Sequence, residues 1–358
     1  MFYNIFFPML HFVSGMNLLR YITFRTMCAL LTSLLISFFI YPKFIRKLKF
    51  SQPIRNDGPA SHVLKKQGTP TLGGAVIIAC TIISSLLWGD IFNNYLIALL
   101  LLTIGYALLG FMDDFLKVKR KNSRGVNGQR KLFFQIIIAF VFSYFVELIR
   151  APNIVGHLTF PFFKNFIIVN TPLLLMFTTF VIVGSSNAVN LTDGLDGLAT
   201  FPSMLAALCF GIICYVAGHS IFASYLQITY VASIGELSIF CGALIGACLG
   251  FLWYNAPPAS IFMGDTGSLA IGGALGGMSV ISKHEFVLAI VGGLFVIEAM
   301  SVMIQVIYFK LTRKRIFLMA PIHHHFEKKG WNESTVVIRF WIISLIFALV
   351  GLSTLKIR

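Results

Sequence analysis

Tyr95-Leu-Ile-Ala-Leu-Leu-Leu-Leu-Thr-Ile-Gly-Tyr-Ala-Leu-Leu-Gly-Phe-Met112 runs without a charge and then meets Asp113-Asp114, with Lys117, Lys119, Arg120 and Lys121 close behind. A helix of about 20 mainly apolar residues spans the ~30 Å hydrocarbon core of a bilayer. Only a helix or a closed barrel satisfies the backbone there. The run therefore predicts a membrane-spanning helix ending in two acids. An acid at a helix C-terminus opposes the macrodipole, so these carboxylates call for a cation. Neighbours on a helix differ by about 100° in azimuth; one acid is expected to face a metal or substrate, the other to orient a lysine or accept a proton.

The same pattern extends along the chain. Mean hydropathy is +0.85, 57% of residues are apolar and 11% are charged, against roughly 25% charged in a soluble domain. An all-α, polytopic integral membrane protein is expected, with about ten spans at 22–41, 72–88, 95–112, 132–149, 173–189, 201–218, 237–254, 268–282, 287–309 and 335–355. No linker or low-complexity stretch divides residues 1–358, which predicts a single membrane domain. The first twenty residues lack the cationic start and cleavage site of a signal peptide and read as a surface-lying lead-in.

Lys and Arg are unevenly shared between alternate connections. Those on one side, including 42–71, 113–131 and 310–334, carry 20, and those on the other carry 6. The positive-inside rule makes the first side cytoplasmic and places both termini outside. Net charge is +15, but it is divided among short inter-helix loops. That excludes a nucleic-acid interface and favours an anionic small substrate together with anionic membrane lipids. All six cysteines lie in apolar spans, where they read as small buried residues. Gly242, Gly246 and Gly250, and the pairs Gly272/Gly276 and Gly273/Gly277, fall four apart within spans and predict close helix packing.

The unusual chemistry lies in the expected cytoplasmic connections, where five acids (Asp113, Asp114, Asp193, Asp196 and Asp265) abut apolar runs. At an effective dielectric of about 20, two like charges about 4 Å apart repel by roughly 4 kcal/mol. A converging set of this kind suits Mg²⁺, a hard cation taken by oxygen ligands and shared with substrate phosphates. Lys66 and Thr71 flank the turn into the second span, at a helix N-terminus suited to an anion. Asn187, Asn190 and Asp193 recur every three residues on one helical face, and the glycines beside Asp193 and Asp196 permit tight turns. Asn255 and two prolines precede Phe262, a flat face for a base, and Asp265, which also suits a helix cap. His323, His324 and His325 are expected to bring one or two imidazoles near phosphate, as hydrogen-bond donors or a proton carrier. Glu298, near the middle of the ninth span, is expected to be structural, with Gln305 two turns along the same face.

Lys65-Lys-Gln-Gly-Thr-Pro-Thr-Leu-Gly-Gly74, Phe111-Met-Asp-Asp-Phe115, Asn187 through Gly197, Phe262-Met-Gly-Asp-Thr-Gly-Ser268 and Ala320-Pro-Ile-His-His-His-Phe-Glu327 together resemble the phospho-N-acetylmuramoyl-pentapeptide-transferase family. The resemblance covers essentially the whole chain. It implies transfer of phospho-MurNAc-pentapeptide from UDP-MurNAc-pentapeptide to undecaprenyl phosphate, with Mg²⁺, release of UMP and formation of lipid I. It also implies a homodimer in a bacterial inner membrane, with the active site facing the cytoplasm.

By the same resemblance Asp265 takes Mg²⁺, with Asp113 or Asp114 completing the metal site or deprotonating the lipid phosphate. Phe262, Asp196 and Lys66 receive uridine; Asn190, Asp193, Asn255 and Gln305 line the nucleotide-sugar pocket; Lys131 and the histidines, chiefly His324, meet phosphate or sugar. Thr71, Asn187, Gly264, Ser268, His323 and His325 complete the expected binding set. Direct displacement and a covalent aspartyl route both stay open. So do two rival functions: the same chemistry on UDP-N-acetylglucosamine, and a cation-coupled transporter, whose acids belong nearer the midplane.

Overall fold

A computed structural model of the protein describes residues 1–6, 14–47, 69–120, 125–160 and 163–356. Ten long helices make up most of it: α1 Ile22–Lys47, α2 Gly73–Trp88, α3 Asn94–Arg120, α4 Gly128–Leu148, α5 Thr171–Thr192, α6 Thr200–Ala217, α7 Leu237–Asn255, α8 Gly264–Ser282, α9 Gly293–Thr312 and α10 Glu333–Ser353. Each matches one expected span. Eight are long and apolar enough to cross a membrane. Of the other two, α2 has only 16 residues, and α8 is buried from Thr266 to Ser282.

Burial on every side explains the composition of α8. A helix surrounded by protein has no polar face to present, and α8 is built largely of small residues that let α3 and α5 approach closely. The sequence expectation for its glycines holds. A Cβ at Gly276 would lie 2.8 Å from Ile182 Cα of α5, and one at Gly273 would lie 3.0 Å from the Tyr106 ring of α3. On α7, Gly242 faces the Thr26 carbonyl of α1 in the same manner. The cysteines are unpaired, and all but Cys28 are buried.

Three boundaries differ from the sequence expectation. The run expected to span 287–309 is broken: a short helix, Glu285–Val291, ends at Gly292 before α9 begins. The Gly292-Gly293 pair permits the break, and Gly293 lies so close to α10 that a Cβ there would sit 2.7 Å from the Phe347 ring. Second, α3 continues two turns past Met112, so Asp113 and Asp114 are helical residues and not loop residues. Third, the 150–172 connection holds a two-stranded antiparallel hairpin, β1 His157–Phe160 with β2 Phe163–Val169, His157 facing Val169.

The end of the bundle away from the Asp113 cluster is fastened by buried ion pairs. Arg25 of α1, 2% exposed, grips Glu236 through two nitrogens at 2.8 and 2.6 Å, and Glu236 also accepts from Asp90 N at 3.0 Å. Arg150 and Lys283 both meet Glu147, at 2.8 and 3.3 Å. The lead-in docks on this end, where Asn4 donates to Asp90 at 2.8 Å.

Candidate active site

Close packing of α3 on α8 brings the first site together. Gly110 of α3 lies against the first turn of α8, so near that a Cβ would sit 2.6 Å from Thr266 Cα. One turn later Asp114 reaches over that helix start. It accepts hydrogen bonds from Asp265 N at 3.1 Å, Thr266 N at 2.9 Å and Thr266 Oγ1 at 2.7 Å. Free amides at a helix N-terminus favour an anion, and here the anion comes from another helix. Asp265 therefore does not cap its own helix; its carboxylate is left for the site.

Asp113, next along α3, turns the other way, as the azimuth argument requires. Its Oδ2 lies 2.5 Å from Lys117 Nζ, and its Oδ1 accepts from Val126 N at 2.7 Å. Lys117 also meets Asp265 at 3.1 Å, and Lys131, from the first turn of α4, meets Asp265 at 2.5 Å. The three carboxylates offer ligand atoms within 4.8 Å of one another. Burial alone would raise the Asp265 carboxyl, but Lys131 and Lys117 outweigh it and hold it well below the usual carboxylate range. Asp265 is thus an anion held ready by two ammonium groups.

Gly264, just before Asp265, has φ +75°, and a Cβ there would lie 2.7 Å from Asp114 Oδ2 and 2.9 Å from Thr71 Oγ1. Only glycine suits both the left-handed backbone and that space. Thr71 comes close because the 70–74 stretch is laced to the Phe262 region: Phe262 N donates to Pro70 O at 2.8 Å, and Phe262 O accepts from Gly73 N at 2.9 Å. The Thr71 hydroxyl, 1% exposed, has no hydrogen-bond partner among the described residues. Lys66 lies outside the described residues.

The remaining predicted residues fall into linked groups. Ser268, one turn after Asp265 on α8, donates to Asn190 Oδ1 at 2.7 Å. This places Asn190 of α5 beside the first turns of α8. Asn187 itself donates to Gln135 Oε1 of α4 at 2.8 Å. Asp193 ends α5, and the turn that follows is tied to the 255–262 loop. Asn255 accepts from Gly197 N and donates to Ile261 O, both at 2.9 Å, and Asp196 Oδ2 accepts from Ala259 N at 3.0 Å.

The histidines share a short helix, Ile322–Lys328. His324 Nδ1 lies 2.6 Å from Glu327, and His325 Nδ1 accepts from Leu318 N at 3.1 Å. His323 points inward, away from solvent, to Glu298. Gln305 grips the Phe317 backbone, accepting from its N at 2.9 Å. Beside it, α9 lines a groove of about 570 Å³, whose lining combines Val302, Val306 and Phe309 with Lys310, Arg313 and Arg315.

Three contributors lay outside the expected site set. Lys117 joins Asp113 to Asp265; its spacing of four from Asp113 on one helix was the available signal. Thr266 and Gln135 are ordinary polar residues until tertiary contact gives them partners. They carry no sequence signal.

The chain also resembles known proteins. Residues 96–283 match the family model described as glycosyl transferase family 4. The chain is similar to the phospho-N-acetylmuramoyl-pentapeptide-transferase of Pelagibacter ubique, 55% identical over all of both chains. It is also similar to that of Granulibacter bethesdensis, 56% identical over 96% of each, and to that of Thermodesulfovibrio yellowstonii, 51% identical over all of both. Identity of this order over the full length, together with the carboxylate and lysine cluster, places the chain: it belongs to the phospho-N-acetylmuramoyl-pentapeptide-transferase family.

Proposed function

We propose that the protein transfers phospho-MurNAc-pentapeptide from UDP-MurNAc-pentapeptide to undecaprenyl phosphate, releasing UMP and forming lipid I. The observation that carries this is the meeting of Asp113, Asp114 and Asp265 with Lys117 and Lys131 at one end of the bundle, in a chain of this family. Phosphoryl transfer asks mainly for alignment and charge neutralisation. An oxygen of the lipid phosphate attacks the sugar-bearing phosphorus of the donor, and the bond from that phosphorus to the UMP oxygen breaks. One diphosphate replaces another, which leaves the equilibrium nearly balanced.

The residues fit Mg²⁺. The donor set is all oxygen, as a hard cation prefers, and the orphaned Thr71 hydroxyl beside Gly264 suits a further oxygen ligand or phosphate. Asp265 would hold the ion together with Asp113, whose Oδ2 faces the mobile ammonium of Lys117, whereas Asp114 is fixed by backbone amides at the start of α8. Bound there, Mg²⁺ would offset the charge of the donor diphosphate. Lys117 and Lys131 align phosphate oxygens against the carboxylates. Asn190, Asp193, Asp196, Asn255 and Phe262 line the nucleotide-sugar side, with His324 and His325 facing phosphate or sugar. The groove along α9, lined by apolar residues together with Lys310, Arg313 and Arg315, suits a polyprenyl tail with a phosphate head. The basic connections favour the cytoplasmic face for this end of the bundle, and the substrates of the transfer favour a bacterial inner membrane.

The test is UMP release by purified protein in detergent with undecaprenyl phosphate and Mg²⁺, comparing UDP-MurNAc-pentapeptide with UDP-N-acetylglucosamine. Turnover of the muramoyl donor alone is expected. Turnover of the other sugar moves the chain to the sister activity, and no release from either donor by folded protein overturns the transferase.

A further inference from the structure

Glu298 and His323 are joined across a long stretch of chain. Both side chains are 0% exposed, and His323 Nδ1 lies 3.1 Å from Glu298 Oε2. Among the described residues no aligned hydrogen-bond partner reaches either carboxylate oxygen of Glu298 or either ring nitrogen of His323. Each group therefore has the other as its polar neighbour. A buried carboxylate without a counterpart is costly.

The geometry around the pair shows what it holds. Glu298 and Gln305 stand seven residues apart, two turns on one face of α9. Gln305 binds the backbone of Phe317, and Glu298 meets His323 on the short helix Ile322–Lys328. The chain leaving α9 at Thr312 thus folds back along the helix and is gripped twice. Glu298 accordingly lies level with the loop layer, not isolated in the bundle. On its far side the His323 ring abuts Gly194, where a Cβ would run into Nε2. Gly194 lies between Asp193 and Asp196. A continuous line runs from Glu298 through His323 to the turn that carries those two aspartates.

We propose that Glu298 is a positioning residue: its carboxylate seats His323 and thereby fixes the short histidine helix against the Asp193–Asp196 turn on the nucleotide-sugar side of the site. The inference rests on the transferase assignment of that site. His324 and His325 are presented to substrate because His323 is anchored beneath them.

The experiment compares parent, Glu298→Ala, Glu298→Gln, His323→Ala and the Glu298→Ala/His323→Ala double variant, measuring UMP release against donor concentration and backbone amide exchange of residues 322–328. Glu298→Ala is expected to raise the donor KM at least tenfold, change kcat by less than threefold and speed exchange in that helix. Glu298→Gln, which keeps an oxygen facing His323 Nδ1, is expected to stay within threefold of the parent KM. The double variant is expected to be no worse than either single one. If Glu298→Ala cannot be purified, Glu298→Leu with His323→Phe, an apolar pair of similar bulk, takes its place with the same expected rise in KM. A donor KM within twofold of the parent, whatever the thermal midpoint, overturns the proposal, as does multiplication of the two single effects in the double variant. An inactive parent sinks the transferase assignment instead, and the exchange measurement then still decides whether Glu298 anchors the helix.

Discussion

Asp114 accepts three hydrogen bonds from the first turn of α8, two from Thr266 and one from the Asp265 amide, while its neighbour Asp113 faces Lys117 at 2.5 Å. Consecutive acids thus have separate tasks: one fastens two helices and the other faces the lysine that bridges to Asp265. Hydrogen bonds to a charged group contribute about 1.5–3 kcal/mol each. Asp114→Ala is therefore expected to lower the thermal midpoint of the detergent-solubilised protein and to abolish UMP release. Asp113→Asn is expected to lower UMP release at least a hundredfold with little loss of midpoint. Equal loss of stability in both would contradict the division.

Lys117 bridges Asp113 and Asp265 at 2.5 and 3.1 Å and is 8% exposed. Removing its charge leaves Lys131 as the remaining cation beside both carboxylates, which repel each other by about 4 kcal/mol at a 4 Å separation. Lys117→Gln is expected to lower kcat at least a hundredfold while the Mg²⁺ concentration for half-maximal rate stays equal or falls, since the cation then meets less competition. A Mg²⁺ requirement that rises in this variant would show that the lysine supports the metal site instead.

Gly110 packs so tightly on Thr266 that a side chain must push α8 from α3. Overpacking of this kind costs about 1–3 kcal/mol. Gly110→Val is expected to lower both the thermal midpoint and turnover, because the displaced element carries Asp265. Gly128, with open space around its Cβ position, is the control: Gly128→Ala is expected to change neither by a measurable amount.

Lys283 lies between α8 and the short helix Glu285–Val291, 1% exposed, and donates to His157 O at 2.8 Å. Burial, reinforced by Arg150, pushes its ammonium down to about 8, whereas an unfolded chain keeps that proton to about 10.4. Between those values the unfolded state binds more protons, so folding gains stability as pH rises. The stability of the parent relative to Lys283→Met is expected to grow by about 2 kcal/mol from pH 8 to pH 10. Thermal unfolding across that range checks it; a constant difference would mean that Lys283 keeps its proton throughout.

Ten apolar runs sufficed to locate ten helices, because period and length carry that information without tertiary contact. The break at Gly292 was hidden, since the residues on either side are apolar and only the approach of Phe347 reveals why Gly293 is needed. The carboxylates were legible because acids beside apolar runs are costly and rare. Their division of labour was not, as it depends on Gly110 bringing the start of α8 beneath Asp114. Glu298 stood out as a buried acid, but its partner lies 25 residues later on a segment that folds back along α9. No local pattern encodes that return.

The central claim is that the carboxylate pair held by Lys117 and Lys131 is the transfer centre. It is tested most directly by formation of labelled lipid-linked product from UDP-MurNAc-pentapeptide and undecaprenyl phosphate with Mg²⁺, parent against Asp265→Asn. The account predicts product from the parent, none without Mg²⁺, and at least a thousandfold loss in Asp265→Asn at an unchanged thermal midpoint. Product formation by folded Asp265→Asn within tenfold of the parent would contradict it.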